Sequence, residues 1–226
     1  SRITNQNGQN NTPRSSRYTY QDGRTDAHGR GWLGFGAVTT TDEPTGQTTT
    51  SFYENSWRDD TFGSYPYLGM LMEQVTSVLN DDLLNDDLKY HTSRTKNEYT
   101  LKYANGNQTY RTYLWRSRYT YGVSDDPGAD PDDSEIVSYQ ETTNGFVDEF
   151  GNILEASVSD GQGNQQTFTT TYDNDTSLWL LGKVTQKIVE DQTPTEGVRR
   201  TERVHCDPTT GLVDWRIQEP NDPKYK

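Results

Sequence analysis

The sequence predicts an all-β protein: a large curved antiparallel sheet built of hairpins, with at most one short helix. Three observations carry that expectation. Aromatic and β-branched residues alternate with polar ones, most clearly at Tyr99, Leu101 and Tyr103 and again at Tyr110, Thr112 and Leu114. A period of two is the signature of a strand with one covered face. Turn phrases rich in Asp, Asn, Gly and Pro return at short spacing between these runs, as hairpin architectures require. The composition is aromatic-rich but aliphatic-poor: 15 tyrosines, 5 tryptophans and 6 phenylalanines accompany a hydrophobic content of only 29%. A mean hydropathy of -1.06 argues against a thick core, and the aromatics argue against disorder.

The elements follow in order. Residues 1–16 (SRITNQNGQNNTPRSS) are polar and read as a flexible lead-in, with the look of an excised fragment. From Arg17 to Phe35, Tyr18 and Tyr20 alternate with polar residues, and Gly23, Gly29, Gly31 and Gly34 then surround Trp32 and Phe35. This is the pattern of a strand that turns sharply twice while keeping large apolar groups buried, its glycines letting backbone segments approach. The runs AVTTT (37–41) and TTTSFY (48–53), separated by DEPTGQ, form a hairpin pattern. Residues 54–67 are irregular and aromatic, and 68–78 resume an apolar pattern. NDDLLNDDL (80–88) is the one stretch with helical character, short and acidic. Asn105-Gly106-Asn107 between alternating runs is a hairpin turn.

DDPGADPDD (125–133) reads as a solvent-exposed insertion or boundary that divides the sheet near 122–134. Beyond it, strand-like runs alternate with DEFGN (148–152), DGQGN (160–164), DNDT (173–176) and DPTTG (207–211). A net charge of -13 argues against nucleic acid, whose phosphates need a basic surface. No apolar run approaches the length of a membrane span. The single cysteine, Cys206, excludes an internal disulfide framework and a multi-cysteine metal site.

No motif supports an enzyme, and neither cofactor nor metal is expected. His28, His91 and His205 lie far apart; a nucleophilic set with Cys206 can be imagined, but a small strand residue is the simpler reading of that cysteine. The acidic stretches lack the ligand spacing of a calcium loop and read as solvated. Tyr110, Tyr113, Trp115 and Tyr119 could form a sugar-stacking platform. This gives the competing function, a carbohydrate-binding module, against the structural reading of cross-strand ring packing. Arg17-Tyr18 and RTYLWRSR (111–118) offer local cation–π packing.

Five phrases carry a resemblance. FVDEFGNILEASV (146–158) and VHCDPTTGLVDWRIQEPND (204–222) resemble the tyrosine-aspartate (YD) repeats of Rhs proteins. YTYQDGRTDAHGRGWLGF, SYPYLGML (64–71) and TTTYDNDTSLWLLGKVTQ (169–186) are similar to segments of SpvB-like and Tc-toxin B-component proteins. Cys206 departs from the pattern by standing where the repeat has Tyr, and Phe146 lies one residue further from its Asp than the repeat places it. The resemblance implies that residues 17–222 form a piece of a β-shell, with 223–226 as a tail. Its structural motif residues are Gly29, Arg30, Gly31, Trp32, Gly34, Phe35, Trp179 and Gly182. The implied partners are an enclosed C-terminal toxin or effector polypeptide and the remaining shell of the parent, with self-association of the isolated piece. The implied localisation is extracellular, after synthesis in the cytoplasm.

Overall fold

The computed structural model describes residues 2–6, 13–60, 63–79, 89–104, 109–131 and 136–219. Every regular element among them is a strand: β1 (Arg2–Gln6), β2 (Pro13–Gln21), β3 (Arg24–Asp26), β4 (Gly31–Gly34), β5 (Ala37–Asp42), β6 (Thr48–Tyr53), β7 (Leu71–Leu79), β8 (Tyr90–Ala104), β9 (Thr109–Ser124), β10 (Ile136–Val147), β11 (Ile153–Ser159), β12 (Gln165–Asp175), β13 (Leu180–Gln192), β14 (Gly197–Cys206) and β15 (Val213–Gln218). The expected helix over 80–88 and the Asn105-Gly106 turn lie outside the described residues. Among the described residues, 13 strands form one open sheet in the order β1-β2-β5-β6-β7-β8-β9-β10-β11-β12-β13-β14-β15, and β3 pairs with β4 in a small second sheet. The pairing is antiparallel, as in β5 with β6, β12 with β13 and β14 with β15. The fold is all-β, in agreement with the alternation and turn chemistry of the sequence.

One expectation fails at the start of the chain. The polar lead-in contains β1, which pairs with β2 from Arg2↔Arg17 to Gln6↔Pro13. Strand pairing is carried by backbone hydrogen bonds, so a polar sequence does not prevent it.

The chain divides into two units: residues 1–99 with 117–139, and 100–116 with 140–226. In the first unit, Leu33, Ala37 and Val75 are buried, but so are Ser15, Ser51, Asn55, Asp59, Ser77, Thr92 and Ser124. Hydroxyl pairs substitute for an aliphatic core. Thr39 and Thr50 meet across β5 and β6 at 3.0 Å, and Thr49 and Thr76 across β6 and β7 at 3.0 Å. Thr92, with 0% of its surface exposed, lies 3.1 Å from the Ser77 hydroxyl and 2.8 Å from that of Ser124. Threonine suits this role because its branched Cβ favours the strand while its hydroxyl bonds across it.

The 125–131 loop, expected to stand in solvent, is partly drawn onto this layer. The Gly128 N–H donates to Ser77 Oγ at 3.0 Å, and Pro131 is buried. Arg94 forms ion pairs with Asp130 and with Glu73, the latter at 2.7 Å, and donates to the Gly128 carbonyl at 3.1 Å. The Glu73 approach is an ion pair whose angle falls short of a hydrogen bond. A paired guanidinium thus converts an acidic loop into a cover.

The second unit is a run of hairpins. Val147 and Val204 are its buried aliphatics. Phe168 faces Val189 across β12 and β13, and the Lys187 ammonium lies 5.2 Å from the Phe168 ring. Register shifts interrupt the ladders near Phe146, Asp173 and Cys206.

Candidate functional site

The best-built features of this chain are its turns and one corner. Two turns repeat the same five-residue device, D-x-x-G-N. At 148–152, Asp148 Oδ1 accepts the N–H groups of Phe150 (2.9 Å) and Asn152 (2.8 Å), while Oδ2 accepts the Asn152 side-chain amide (2.8 Å). At 160–164, Asp160 Oδ1 accepts from Gln162 N–H (2.9 Å) and Asn164 N–H (3.2 Å), and Oδ2 from the Asn164 amide (2.6 Å). The glycine at the fourth position takes positive φ in both, 92° at Gly151 and 89° at Gly163, where a side chain would be strained. A second device, D-x-x-T-G, closes 42–46 and 207–211. The Gly46 and Gly211 N–H groups donate to the Asp42 and Asp207 carbonyls at 2.8 and 2.9 Å, with the threonine hydroxyl on the Asp carboxylate at 2.6 and 2.8 Å.

Asp148 differs from Asp160 in one respect: it also joins neighbouring turns. The Asn174 amide donates to Asp148 Oδ2 at 3.1 Å, the Asn152 amide lies 3.3 Å from Asn174 Oδ1, and that oxygen accepts the Gly182 N–H at 2.7 Å. The β10–β11 turn is thereby clasped to the bulged ends of β12 and β13. Partial burial works to raise the Asp148 carboxyl, but bonds from Asn152, Phe150 and Asn174 outweigh it and hold it below its ordinary value. In Asp160 the Asn164 amide is the largest influence, and the carboxyl is likewise lowered. Gly182 has φ of 74°, and a Cβ there would stand 3.1 Å from Asn152 Oδ1. Trp179, at φ of 56° and 73% exposed, caps the β12–β13 turn, in which Asp175 accepts the Ser177 and Leu178 N–H groups.

The corner at Arg17–Phe35 is built differently from the expectation. Leu33 is its buried residue, whereas Trp32 is 57% exposed. Trp32 packs edge-on to Phe35 at 5.1 Å, and Tyr20 meets Phe35 at 4.7 Å, so the rings cover one another from outside. Close approach belongs to Gly23 and Gly36: a Cβ on Gly23 would stand 2.7 Å from the Trp32 indole, and one on Gly36 2.9 Å from Asp22 Cβ. Gly29, Gly31 and Gly34 have open space around them and are there for positive φ, at 111°, 78° and 93°. Asn55, buried, bonds the corner to the sheet through the Asp22 carbonyl (2.7 Å) and the Gly34 carbonyl (3.3 Å). Asp26 accepts the His28 and Arg30 N–H groups at 3.0 and 3.2 Å, and the Arg30 guanidinium lies 5.9 Å from the Tyr65 ring.

The residues weighed for chemistry are not brought together as a site. Tyr113, Trp115 and Tyr119 occupy same-parity positions of β9 and Tyr110 the other, so the four do not share one face. Tyr119 falls in the first unit and the other three in the second. Tyr113 borders a cavity of about 270 Å³ with Lys102, Arg111 and Phe150. There the Lys102 ammonium donates to the Val147 carbonyl and the Arg111 guanidinium to the Phe150 carbonyl. Each histidine has its own local partner: His28 Nδ1 lies 3.2 Å from Asp26, His91 Nδ1 3.3 Å from the Tyr121 hydroxyl, and His205 Nδ1 3.1 Å from Asp214. Cys206 pairs in register with Val213. Among the described residues, no group of three His, Cys, Asp or Glu side chains is placed to hold a metal ion, and the turn carboxylates direct their oxygens at N–H and hydroxyl donors.

Sequence reasoning missed Asn55, Thr92 and Asn174. None of the three carries a local sequence signal for its partner.

No protein-family model matches the chain, and no curated protein sequence matches it. Solved structures do. The chain is similar to the crystal structure of TcdB2-TccC3 without its hypervariable C-terminal region (TM-score 0.66, 11% identity, covering 91% of this chain and 15% of that chain). It is similar to the crystal structure of TcdB2-TccC3-Cdc42 (TM-score 0.63, 12% identity, 91% and 15%). It is also similar to the Photorhabdus luminescens Tc holotoxin pore (TM-score 0.64, 12% identity, 91% and 15%). The chain therefore spans about 15% of the length of these structures, and over nearly all of its own length it has the fold of a segment of Tc toxin chains.

Proposed function

We propose that this chain is a wall segment of a toxin-encapsulating shell of Rhs/Tc-B type, belonging to the YD-repeat, SpvB-like group, in a secreted parent whose C-terminal effector it helps to enclose. The observation that carries this reading is the likeness of fold to TcdB2-TccC3 over 91% of the chain. The five ordered phrases between Arg17 and Asp222 support it independently. The work of such a segment is steric, not catalytic. Continuous backbone pairing closes the wall, carboxylate-capped turns reverse it, and the Asp148–Asn174 clasp holds adjacent turns in step.

Limited proteolysis of the full-length parent, read by mass spectrometry, tests the proposal. The C-terminal polypeptide should be cut far more slowly within the parent than when expressed alone. Equal cleavage rates would refute enclosure.

A further inference from the structure

Two cations of the second unit converge on one turn without a carboxylate to meet them. Lys102 on β8 donates to the Val147 carbonyl and Arg111 on β9 to the Phe150 carbonyl. Both partners are neutral. The segment that joins the two strands, ANGNQ (104–108), carries no charge. Of the acids in the turn, Asp148 is committed to donors from Phe150, Asn152 and Asn174. Glu149 is exposed, and among the described residues it forms no ion pair with either cation.

The two cations border the cavity of about 270 Å³ whose wall also includes Tyr113, Val147 and Phe150. Arg111 and Tyr113 are two residues apart on β9 and so share one of its faces. The guanidinium lies close over the turn, since a Cβ on Gly151 would stand 2.8 Å from Arg111 Nη1. An ammonium has three donors and a guanidinium five, so each cation keeps donors beyond the one given to a carbonyl. Ligand sites run from about 300 to 1,000 Å³, and a cavity at the lower end takes a small molecule. Two positive charges balance a dianion, and donors arriving from two strands suit tetrahedral oxygens better than a planar carboxylate.

We propose that this cavity binds a small phosphate monoester, its phosphate between Lys102 and Arg111 and its organic group against Tyr113 and Phe150. The turn carbonyls hold the cations in place before the anion arrives, which lowers the cost of ordering them. The site does not depend on the shell reading.

Isothermal titration calorimetry of the 226-residue chain with phenyl phosphate tests it. The titration is run at about pH 8, where the phosphate is dianionic, and at physiological ionic strength, which screens the distant carboxylates. The expected result is saturable binding of one equivalent. Lys102→Gln and Arg111→Gln each remove a charge but keep an amide donor for the turn carbonyl, and each should weaken binding roughly tenfold. Glu149→Gln removes a like charge from the cavity wall and should tighten it. Benzoate should bind more weakly than phenyl phosphate. Circular dichroism establishes that each variant is folded; if a cation variant is not, Glu149→Gln and benzoate decide. Absence of saturable binding, undiminished affinity in a folded cation variant, unchanged affinity in Glu149→Gln, or benzoate binding as tightly as phenyl phosphate would overturn the proposal.

Discussion

Replacing Asp148 by alanine tests whether the turn clasp holds the second unit together. Four donors lose their acceptor: the N–H groups of Phe150 and Asn152 and the amides of Asn152 and Asn174. The two N–H groups resemble those of a capped helix start, where loss of the acceptor costs about 1 kcal/mol. The two amides each bond to a charged oxygen, worth about 1.5–3 kcal/mol in full burial, but partial exposure reduces this to about half. The expected cost is about 2.5–4 kcal/mol, a fall of about 5–16 °C in thermal midpoint for a chain of this size. Asp160→Ala removes the same intra-turn bonds without the link to Asn174, and should cost distinctly less. Thermal and urea unfolding of both variants, with Asn174→Ala and the Asp148/Asn174 double variant closing a cycle, isolates the coupling. Equal losses for Asp148→Ala and Asp160→Ala, or additivity in the cycle, would refute the clasp.

Gly23→Ala and Gly31→Ala should both destabilise, for different reasons. The first drives a Cβ to 2.7 Å from the Trp32 indole, costing about 1 kcal/mol, and Trp32→Ala should relieve it. The second enters open space at φ of 78°, costing about 1–2 kcal/mol that Trp32→Ala leaves unchanged; urea midpoints of the two double variants separate the cases. Thr92→Val keeps the shape but removes the hydroxyl that meets Ser77 and Ser124, which keep the Gly128 N–H and the Asp126 carbonyl as partners, and should cost about 1 kcal/mol. Thr92→Ser should cost much less, and equal losses in urea unfolding would count against the hydroxyl layer. Asp26, Glu54, Asp130, Asp148, Asp160, Asp175 and Asp207 all have lowered carboxyl pKa values. Groups lowered by folding contribute stability above their unfolded values, about 3.9 for Asp and 4.3 for Glu, and lose it as pH falls through the folded values. Relief of the -13 charge acts oppositely between neutral pH and the isoelectric point near 4.6. A scan of thermal midpoint against pH should therefore be level down to that point and fall steeply below about pH 4; a midpoint that stays level in stronger acid would contradict the capped-turn account.

The strand sequence from β5 to β15 was legible because its information is local. Period-two alternation and Asp-Gly turns are written within a few residues, and DEPTG, DEFGN, DGQGN and DPTTG all became hairpin turns. Burial at the corner was not legible. Trp32 and Phe35 looked like anchors by size, but Leu33 has opposite parity to Trp32 and takes the inward face, and the positive φ of Gly34 ends the alternation before Phe35. The glycines misled in the same way: composition shows that glycine is needed, whereas only the fold separates Gly23, which a ring approaches, from Gly31, which needs its φ. Asn174 could not be read at all as a partner of Asp148, because their meeting depends on the bulge between Asp173 and Asp175.

The polar character of this chain follows from how its strands are held. A sheet whose buried residues include Thr92, Ser77 and Ser124 gains little from removing apolar surface from water. Its order must rest on ladders in which each hairpin is fixed by its neighbours, and on turns that cannot slip register. That explains why the costliest chemistry sits at the turns: carboxylates committed to several donors, and glycines at positive φ. It also explains the exposed rings. Tyr20, Phe35 and Trp32 pack against one another outside the corner, and Trp215 stacks on His205 at 5.2 Å and 8°, so aromatic contact stiffens the surface of strands that no thick core supports. The same economy leaves Val137, Phe146, Trp179 and Leu212 more than half exposed.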